Sequence, residues 1–148
     1  MLSSIQFALC PHLGDATLLE VIPVVDGVRL TDRVHQFELD QGMETCPVSY
    51  GGLIPRFHKV GRAKEYYFGV GKAPLSENGK IPLLGCECGE WGCWPFLARV
   101  VVAGTTVAWT DFEQPFEIRD YSEFGLFTFG RADYETAIAT IADAWDRR

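Results

Sequence analysis

The sequence predicts a single α+β domain over residues 1–148, with an antiparallel β-meander sheet and a C-terminal α-helix packed on it. Three observations predict this class. Apolar runs typical of strands follow one another with turn residues between them, the last segment has helical periodicity, and 47% of the 148 residues are hydrophobic. A chain of this size can bury a core without a disulfide or a structural metal.

The first half of the chain predicts two strands and one helix. An apolar run, then Asp26-Gly27, then Val28 to Leu30 is typical of a tight hairpin, which places strands near residues 17 to 25 and 28 to 30. A helix is predicted through DRVHQFELDQ, with Thr31 as its cap and Gly42 as its stop signal. Prolines and glycines crowd residues 43 to 63, so regular structure there should be brief.

The second half predicts the main sheet and its closing helix. KEYYFGV, residues 64 to 70, reads as an aromatic strand, and a polar connection follows at 71 to 80. The runs IPLLGCEC, WPFLARVVV and TTVAWTDF, separated by glycine-containing turns, predict an antiparallel meander. In the last segment Tyr134, Ile138, Ile141 and Trp145 fall on one helical face, which predicts a helix packed on the sheet.

Composition and charge exclude several classes of partner. The formal net charge is -7 with Lys and Arg scattered, so we expect no nucleic-acid partner, although an acidic surface can meet a basic one. The first residues lack the features of a signal peptide, and no apolar run is long enough to cross a bilayer. We therefore expect a cytoplasmic protein without membrane contact, whose five cysteines are thiols, metal ligands or redox groups before they are disulfides.

The segment LLGCECGEWGCWPF, residues 83 to 96, holds three of those cysteines. Cys86 and Cys88 share a strand face, and a four-residue loop over residues 89 to 92 would bring Cys93 opposite Cys88 on that face. Zinc holds sulfurs at about 2.3 Å, which puts them roughly 3.8 Å apart on a tetrahedron. Nearby glycines would let the backbone bend to that spacing. Cys86, Cys88 and Cys93 are thus candidate ligands for zinc as a cofactor, with a fourth ligand from a carboxylate or from Cys46, Cys10, His12, His35 or His58.

Two other interpretations of the hairpin stay open. Cys88 and Cys93 lie at a plausible separation for a cross-strand disulfide, and beside a third thiol they could act as a redox switch. Alternatively, the three cysteines are small core residues beneath Trp91 and Trp94, because free cysteine is among the most buried residue types.

The motifs of common enzymes are missing from the sequence. It contains no nucleophile elbow, phosphate-binding loop or metalloprotease motif, and its three histidines are isolated from one another. We therefore predict a non-enzymatic cytosolic binding or interaction module, of the adaptor or immunity type, with a protein partner or a small ligand. Part of the set Trp91, Trp94, Trp109 and Phe112, if exposed, would form the binding patch. The alternative is a zinc-binding or thiol-redox enzyme that uses Cys86, Cys88 and Cys93.

The cysteine hairpin, the following VAWTDFEQP and the later DYSEFGLFTFGRADYETAI also carry a family resemblance. Together they resemble a family of small, mostly bacterial proteins without assigned function, which has a Cys-x-Cys-Gly-x-x-Gly-Cys-Trp-Pro hairpin and a Trp-x-x-Phe-x-x-Pro strand end. The resemblance falls on Cys86, Cys88, Gly89, Gly92, Cys93, Trp94, Pro95, Trp109, Phe112, Gln114, Pro115, Tyr121, Phe127, Phe129 and Tyr134. Family members tend to have His-Arg after that last proline, where this chain has Phe116-Glu117, which counts against a shared catalytic role.

Overall fold

The computed structural model describes residues 1–44, 48–70 and 78–147. In chain order its elements are β1 (Ile5–Pro11), β2 (Leu19–Val25), β3 (Val28–Arg29), α1 (Leu30–Asp40), β4 (Tyr50–Gly51), α2 (Ala63–Tyr67), β5 (Lys80–Cys86), β6 (Phe96–Ala103), β7 (Thr106–Glu113), β8 (Phe127–Gly130) and α3 (Arg131–Asp146). A short 3-10 helix, Pro55–Phe57, stands between β4 and α2. The expected α+β domain with a closing helix is confirmed.

The first sheet has three antiparallel strands in the order β1-β2-β3. The turn between β2 and β3 places Asp26 and Gly27 at positive φ, as a tight turn requires, so the predicted hairpin is confirmed. Strand β1 pairs with β2 along its whole length and has no counterpart in the sequence-based prediction. Helix α1 follows β3 directly, but Arg29 and not Thr31 is its N-cap residue.

The second sheet has five antiparallel strands in the order β4-β5-β6-β7-β8. Strands β5, β6 and β7 form the predicted meander, and β8 extends it without a counterpart in the prediction. A register shift occurs in β5 between Pro82 and Leu84. That shift fits the proline, because Pro82 has no N–H to donate to the ladder. β4 pairs with only the last two residues of β5, which sets Tyr50 opposite Cys86.

The two sheets are joined at both sides and enclose one core. Val21 and Leu53 exchange backbone hydrogen bonds of 2.7 and 3.0 Å, and Ser3 pairs in parallel with Phe129 of β8. Helix α3 packs on β1 and α2 through its apolar face, where Tyr134 and Trp145 are fully buried. The Tyr134 hydroxyl donates to the carbonyl of Tyr67 over 2.6 Å and accepts the indole N–H of Trp109 over 2.9 Å.

The predicted strand over residues 64 to 70 is wrong, because residues 63–67 form helix α2. The side chain of Glu65 accepts the backbone N–H of Arg62, and Asp146 of α3 accepts the N–H of Ala63 over 3.0 Å. Both contacts cap a helix N-terminus. Tyr66 and Tyr67 then bury their rings in the core, so tertiary packing overrides the strand preference of an aromatic run. The predicted connection at 71 to 80 lies mostly outside the described residues.

Within the described ranges, no helix is long and apolar enough to cross a membrane.

Candidate functional site

A nine-residue connection, residues 87–95, joins β5 to β6 and carries the cysteines that follow Cys86. It opens with a tight turn in which the carbonyl of Cys86 accepts the N–H of Gly89 over 2.9 Å, and the N–H of Cys86 donates to the carbonyl of Glu90 over 3.1 Å. Gly89 has a φ of +100°, a conformation that side-chain-bearing residues rarely adopt. The glycine therefore lets the chain reverse immediately after Cys88.

Trp91 anchors this loop to the core. Its side chain is fully buried, and its indole N–H donates to the carbonyl of Ile54 over 3.0 Å. The ring lies edge-to-face with Tyr66 and also contacts Trp145. Gly85 allows this approach, because a Cβ at that position would stand 3.2 Å from the Cα of Trp91. The loop thus has a fixed anchor inside the protein that uses no cysteine.

The three sulfur atoms of Cys86, Cys88 and Cys93 all lie within 4.8 Å of one another. Cys86 is buried, whereas Cys88 and Cys93 are exposed, and no disulfide joins them. The backbone N–H of Cys88 donates to the sulfur of Cys86 over 3.5 Å. Burial raises the pKa of the Cys86 thiol to about 12, while the backbone N–H of Glu90 lowers the pKa of the Cys88 thiol. One loop therefore presents one buried and two accessible sulfurs at a single point.

The predicted hairpin geometry is wrong although the three sulfurs do converge. β5 ends at Cys86 and β6 begins at Phe96, so Cys88 and Cys93 lie outside the strands and do not face each other across a ladder. The convergence comes from the turn at Gly89 and from the buried Trp91, which fold the connection back on itself. Sequence spacing indicated which residues meet, but a regular strand pair is not what brings them together.

A thiophilic metal fits this sulfur cluster. Zinc bound at about 2.3 Å places tetrahedral sulfurs roughly 3.8 Å apart, and the observed limit of 4.8 Å requires only small side-chain rotations to reach that spacing. Among the described residues, no further His, Cys, Asp or Glu joins the three within 4.8 Å, so Cys10, His12, His35 and His58 are not fourth ligands in this conformation. Cys46 lies outside the described residues.

The four aromatic side chains predicted as a binding patch, Trp91, Trp94, Trp109 and Phe112, are not exposed. Trp91 and Trp109 are completely buried, and Trp94 and Phe112 expose only 6% and 7% of their surface. The reason is packing: Phe112 stacks on Phe96, and Trp91 and Trp109 donate hydrogen bonds inside the core. These rings therefore hold the sheet together and are not free to receive a partner.

A groove of about 410 Å³ opens beside the cysteine loop, and its walls include Glu87 and Trp94. His12 also lines it, although His12 is only 9% exposed. The Nδ1 of His12 lies 3.0 Å from the carboxylate of Glu20, whose other oxygen accepts the N–H of Gly52 over 3.3 Å. An ionised carboxylate can only accept, so Nδ1 carries the proton, and Nε2 has no hydrogen bond to any described residue.

Glu38 of α1 also lines the groove. One oxygen of its carboxylate accepts the hydroxyls of Tyr50 and Tyr121, over 3.0 and 2.6 Å, and lies 3.2 Å from the guanidinium of Arg119. Arg119 also lies over the ring of Trp94, with 5.5 Å between the guanidinium carbon and the ring centroid. This network fixes α1 to the loop that follows β7.

The hydrogen bond between His12 and Glu20 was not predicted from the sequence. The two residues meet because β1 pairs with β2, with Pro11 opposite Leu19. Without β1, His12 reads as an isolated histidine. A strand prediction for IQFALCP would have made β1 a candidate partner of β2, but only the pairing register brings its end beside Glu20.

Comparison with protein-family models, with curated proteins and with solved structures finds no match to this chain. The family resemblance carried by the cysteine hairpin therefore stays a prediction.

Proposed function

We propose that this chain is a zinc-binding interaction module in which Cys86, Cys88 and Cys93 hold the metal. The observation that carries the proposal is the approach of the three sulfur atoms to within 4.8 Å of one another. Thiolates are preferred ligands of zinc, and a backbone N–H donated to sulfur favours the thiolate.

The exposure of two of the three sulfurs favours this proposal over a purely structural role in the core. Cys86 alone is buried as a core cysteine would be, whereas Cys88 and Cys93 are exposed. Cysteines retained only for packing are typically buried. A cluster that brings exposed thiols to a buried one at ligand distance is better explained by a bound metal. Thiolate ligation also fits a reducing, cytoplasmic compartment.

The metal would act on the loop and not on a substrate. Three ligands from one loop would tie residues 86–93 together, and that loop forms one wall of the groove through Glu87 and Trp94. A metal with three protein ligands keeps a fourth position for water or for a group from a partner. The proposed function is therefore non-enzymatic binding at a surface that the metal stiffens.

Native mass spectrometry tests the metal on protein purified without chelator. We expect one zinc for each chain, lost in Cys88→Ser and kept in the matched control Cys10→Ser, which removes a thiol from β1 outside the cluster. Substitution of zinc by Co²⁺ should then give the visible absorption of tetrahedral thiolate coordination. Wild-type protein that stays metal-free after incubation with Zn²⁺ would refute the proposal. Because Cys88 is exposed, far-UV circular dichroism should show a folded variant.

A second candidate function is thiol redox chemistry, favoured by a buried sulfur that lies next to exposed ones. A hydroperoxide would oxidise Cys88 to a sulfenic acid and be reduced to water or alcohol. A neighbouring thiol would then displace water and form a disulfide, so that two thiols lose two hydrogens overall. Metal-free protein treated with equimolar hydrogen peroxide should lose two hydrogens in mass, with Cys88 in the bridged peptide. Oxygen addition without a bridge would exclude this candidate.

A further inference from the structure

One of the two histidines that line the groove, His12, has a ring nitrogen with no hydrogen bond to any described residue. His12 is 9% exposed, its Nδ1 is engaged by Glu20, and no hydrogen bond joins its Nε2 to any described residue. The Nε2 atom lies 3.6 Å from the position that a Cβ on Gly89 would occupy, so it stands beside the cysteine loop. An imidazole that donates its Nδ1–H to a carboxylate presents Nε2 as an acceptor, so a ligand in the groove that His12 lines needs a hydrogen-bond donor to engage it.

The charges around the groove are mostly negative. Glu38 is matched by Arg119 and Glu20 accepts the Nδ1–H of His12, but three further lining carboxylates, Asp32, Glu44 and Glu87, make no ion pair with any described residue. The lining cation Arg29 donates to the sulfur of Cys10, and the exposed His35 is neutral in the formal charge count. The groove therefore offers acceptors and negative charge in excess of donors.

The carboxylates do not form a site for a metal ion. In the described ranges, the only group of three or more His, Cys, Asp or Glu with ligand atoms within 4.8 Å is the sulfur cluster. Carboxylates that are spread along a groove suit an organic cation better than a metal ion. The several N–H donors of an ammonium or guanidinium group can reach carboxylates that lie apart. Tyr50 is half-buried and supplies aromatic surface in the same groove, and aromatic rings attract organic cations.

We propose that the groove binds an organic cation whose ammonium or guanidinium group donates to His12 and is attracted by Glu87, Glu44 and Asp32. The volume of about 410 Å³ suits an arginine-sized or lysine-sized group. Two sources can supply such a cation: a free amine or guanidine metabolite, or a basic side chain on a peptide. This site goes beyond the proposed zinc function and does not depend on it, because Trp91 anchors the adjoining loop without the metal.

Titration followed by ¹H–¹⁵N NMR tests the proposal, with arginine amide as probe and citrulline amide as its uncharged match. We expect arginine amide to give saturable shifts at the indole N–H of Trp94 and at the imidazole nitrogens of His12. Citrulline amide should give none. The absence of saturable shifts at millimolar arginine amide, or equal shifts from both probes, would overturn the proposal.

A pair of charge variants tests whether the groove is the site. Glu87→Gln should raise the Kd for arginine amide by about two- to fivefold, the effect of one exposed charge contact. Glu90→Gln removes the same charge from the same loop but not from the groove lining, so the Kd should stay unchanged. Both side chains are exposed, so both variants should fold. Equal effects of the two variants would mean nonspecific attraction and would refute the site.

A capped peptide with one internal arginine separates the two sources of the cation. Tighter binding than arginine amide would assign the groove to a basic peptide segment, whereas weaker binding would assign it to a free amine or guanidine. The peptide titration uses the same NMR signals, and either result requires the groove contacts that the proposal states.

Discussion

Replacement of Trp91 by phenylalanine tests whether the cysteine loop is anchored from inside the protein. Trp91 is fully buried, and its indole N–H is bonded to the carbonyl of Ile54, itself only 1% exposed. Phenylalanine keeps an aromatic ring at the site but has no N–H group. The change therefore removes one buried hydrogen bond and leaves a small cavity, while the backbone of the loop and its cysteines stay the same.

The magnitude follows from these two losses. Loss of one hydrogen bond costs about 0.5–1.5 kcal/mol, because the carbonyl of Ile54 still accepts the N–H of Phe57 over 3.1 Å. A cavity of roughly 40 Å³, at about 24 cal/mol for each Å³, adds ~1 kcal/mol. We expect Trp91→Phe to lower the free energy of unfolding by about 1.5–2.5 kcal/mol, a measurable part of the stability of a domain of this size.

Urea denaturation followed by far-UV circular dichroism measures this loss without relying on tryptophan fluorescence. Trp94→Phe is the matched control, since it shrinks a nearby buried ring that has no hydrogen bond to any described residue, and it should cost about 1 kcal/mol. The two variants should therefore differ by the value of the hydrogen bond. Equal losses in the two variants, or a loss below about 0.5 kcal/mol in Trp91→Phe, would refute the internal anchor.

Three further changes test other contacts of the fold. Tyr134→Phe removes a buried hydroxyl that bonds to two partners, so urea denaturation should show a loss of about 1–3 kcal/mol; no loss would contradict those bonds. Glu38→Gln leaves the guanidinium of Arg119, whose side chain is 9% exposed, without its counter-charge. We expect a loss of about 3 kcal/mol by the same assay, whereas a few tenths would mean that solvent screens the pair. Gly51→Ala places a Cβ 2.8 Å from the carbonyl oxygen of Cys86, so the melting temperature should fall by about 5 °C. An unchanged melting temperature would count against that close approach.

The elements that could be predicted from the sequence are those whose local signals agree with their packing. The turn at Asp26-Gly27, the meander and helix α3 all combine a periodic apolar pattern with turn or end residues. Helix α2 could not be predicted, because part of its cap comes from Asp146, far away in the sequence, and its aromatic run favours a strand locally. Strand β1 was missed although Ser3-Ser4 and Gly14-Asp15 flank it, because the prediction began its strands at residue 17.

The candidate site, like the fold, could be predicted only in part. Cysteine spacing was enough to indicate that Cys86, Cys88 and Cys93 lie together, because residues so close in sequence can be joined by any compact turn. It was not enough to predict the exposure of each sulfur, which depends on where Trp91 is buried. The pairing of His12 with Glu20 depends on strand register between β1 and β2, which spacing alone does not give.

The parallel contact between Ser3 and Phe129 has a consequence for how the protein is made. It joins the third residue of the chain to a strand that immediately precedes the last helix, so it closes only after nearly all of the sequence has left the ribosome. The hairpin of β1 and β2 can form early, because it is local. The hydrogen bond from the N–H of Ser3 to the carbonyl of Thr128 cannot form before β8 has been made. Contacts of such long sequence separation slow folding and leave strand edges open to wrong partners, so the nascent chain passes through an interval of exposure to aggregation and to chaperones.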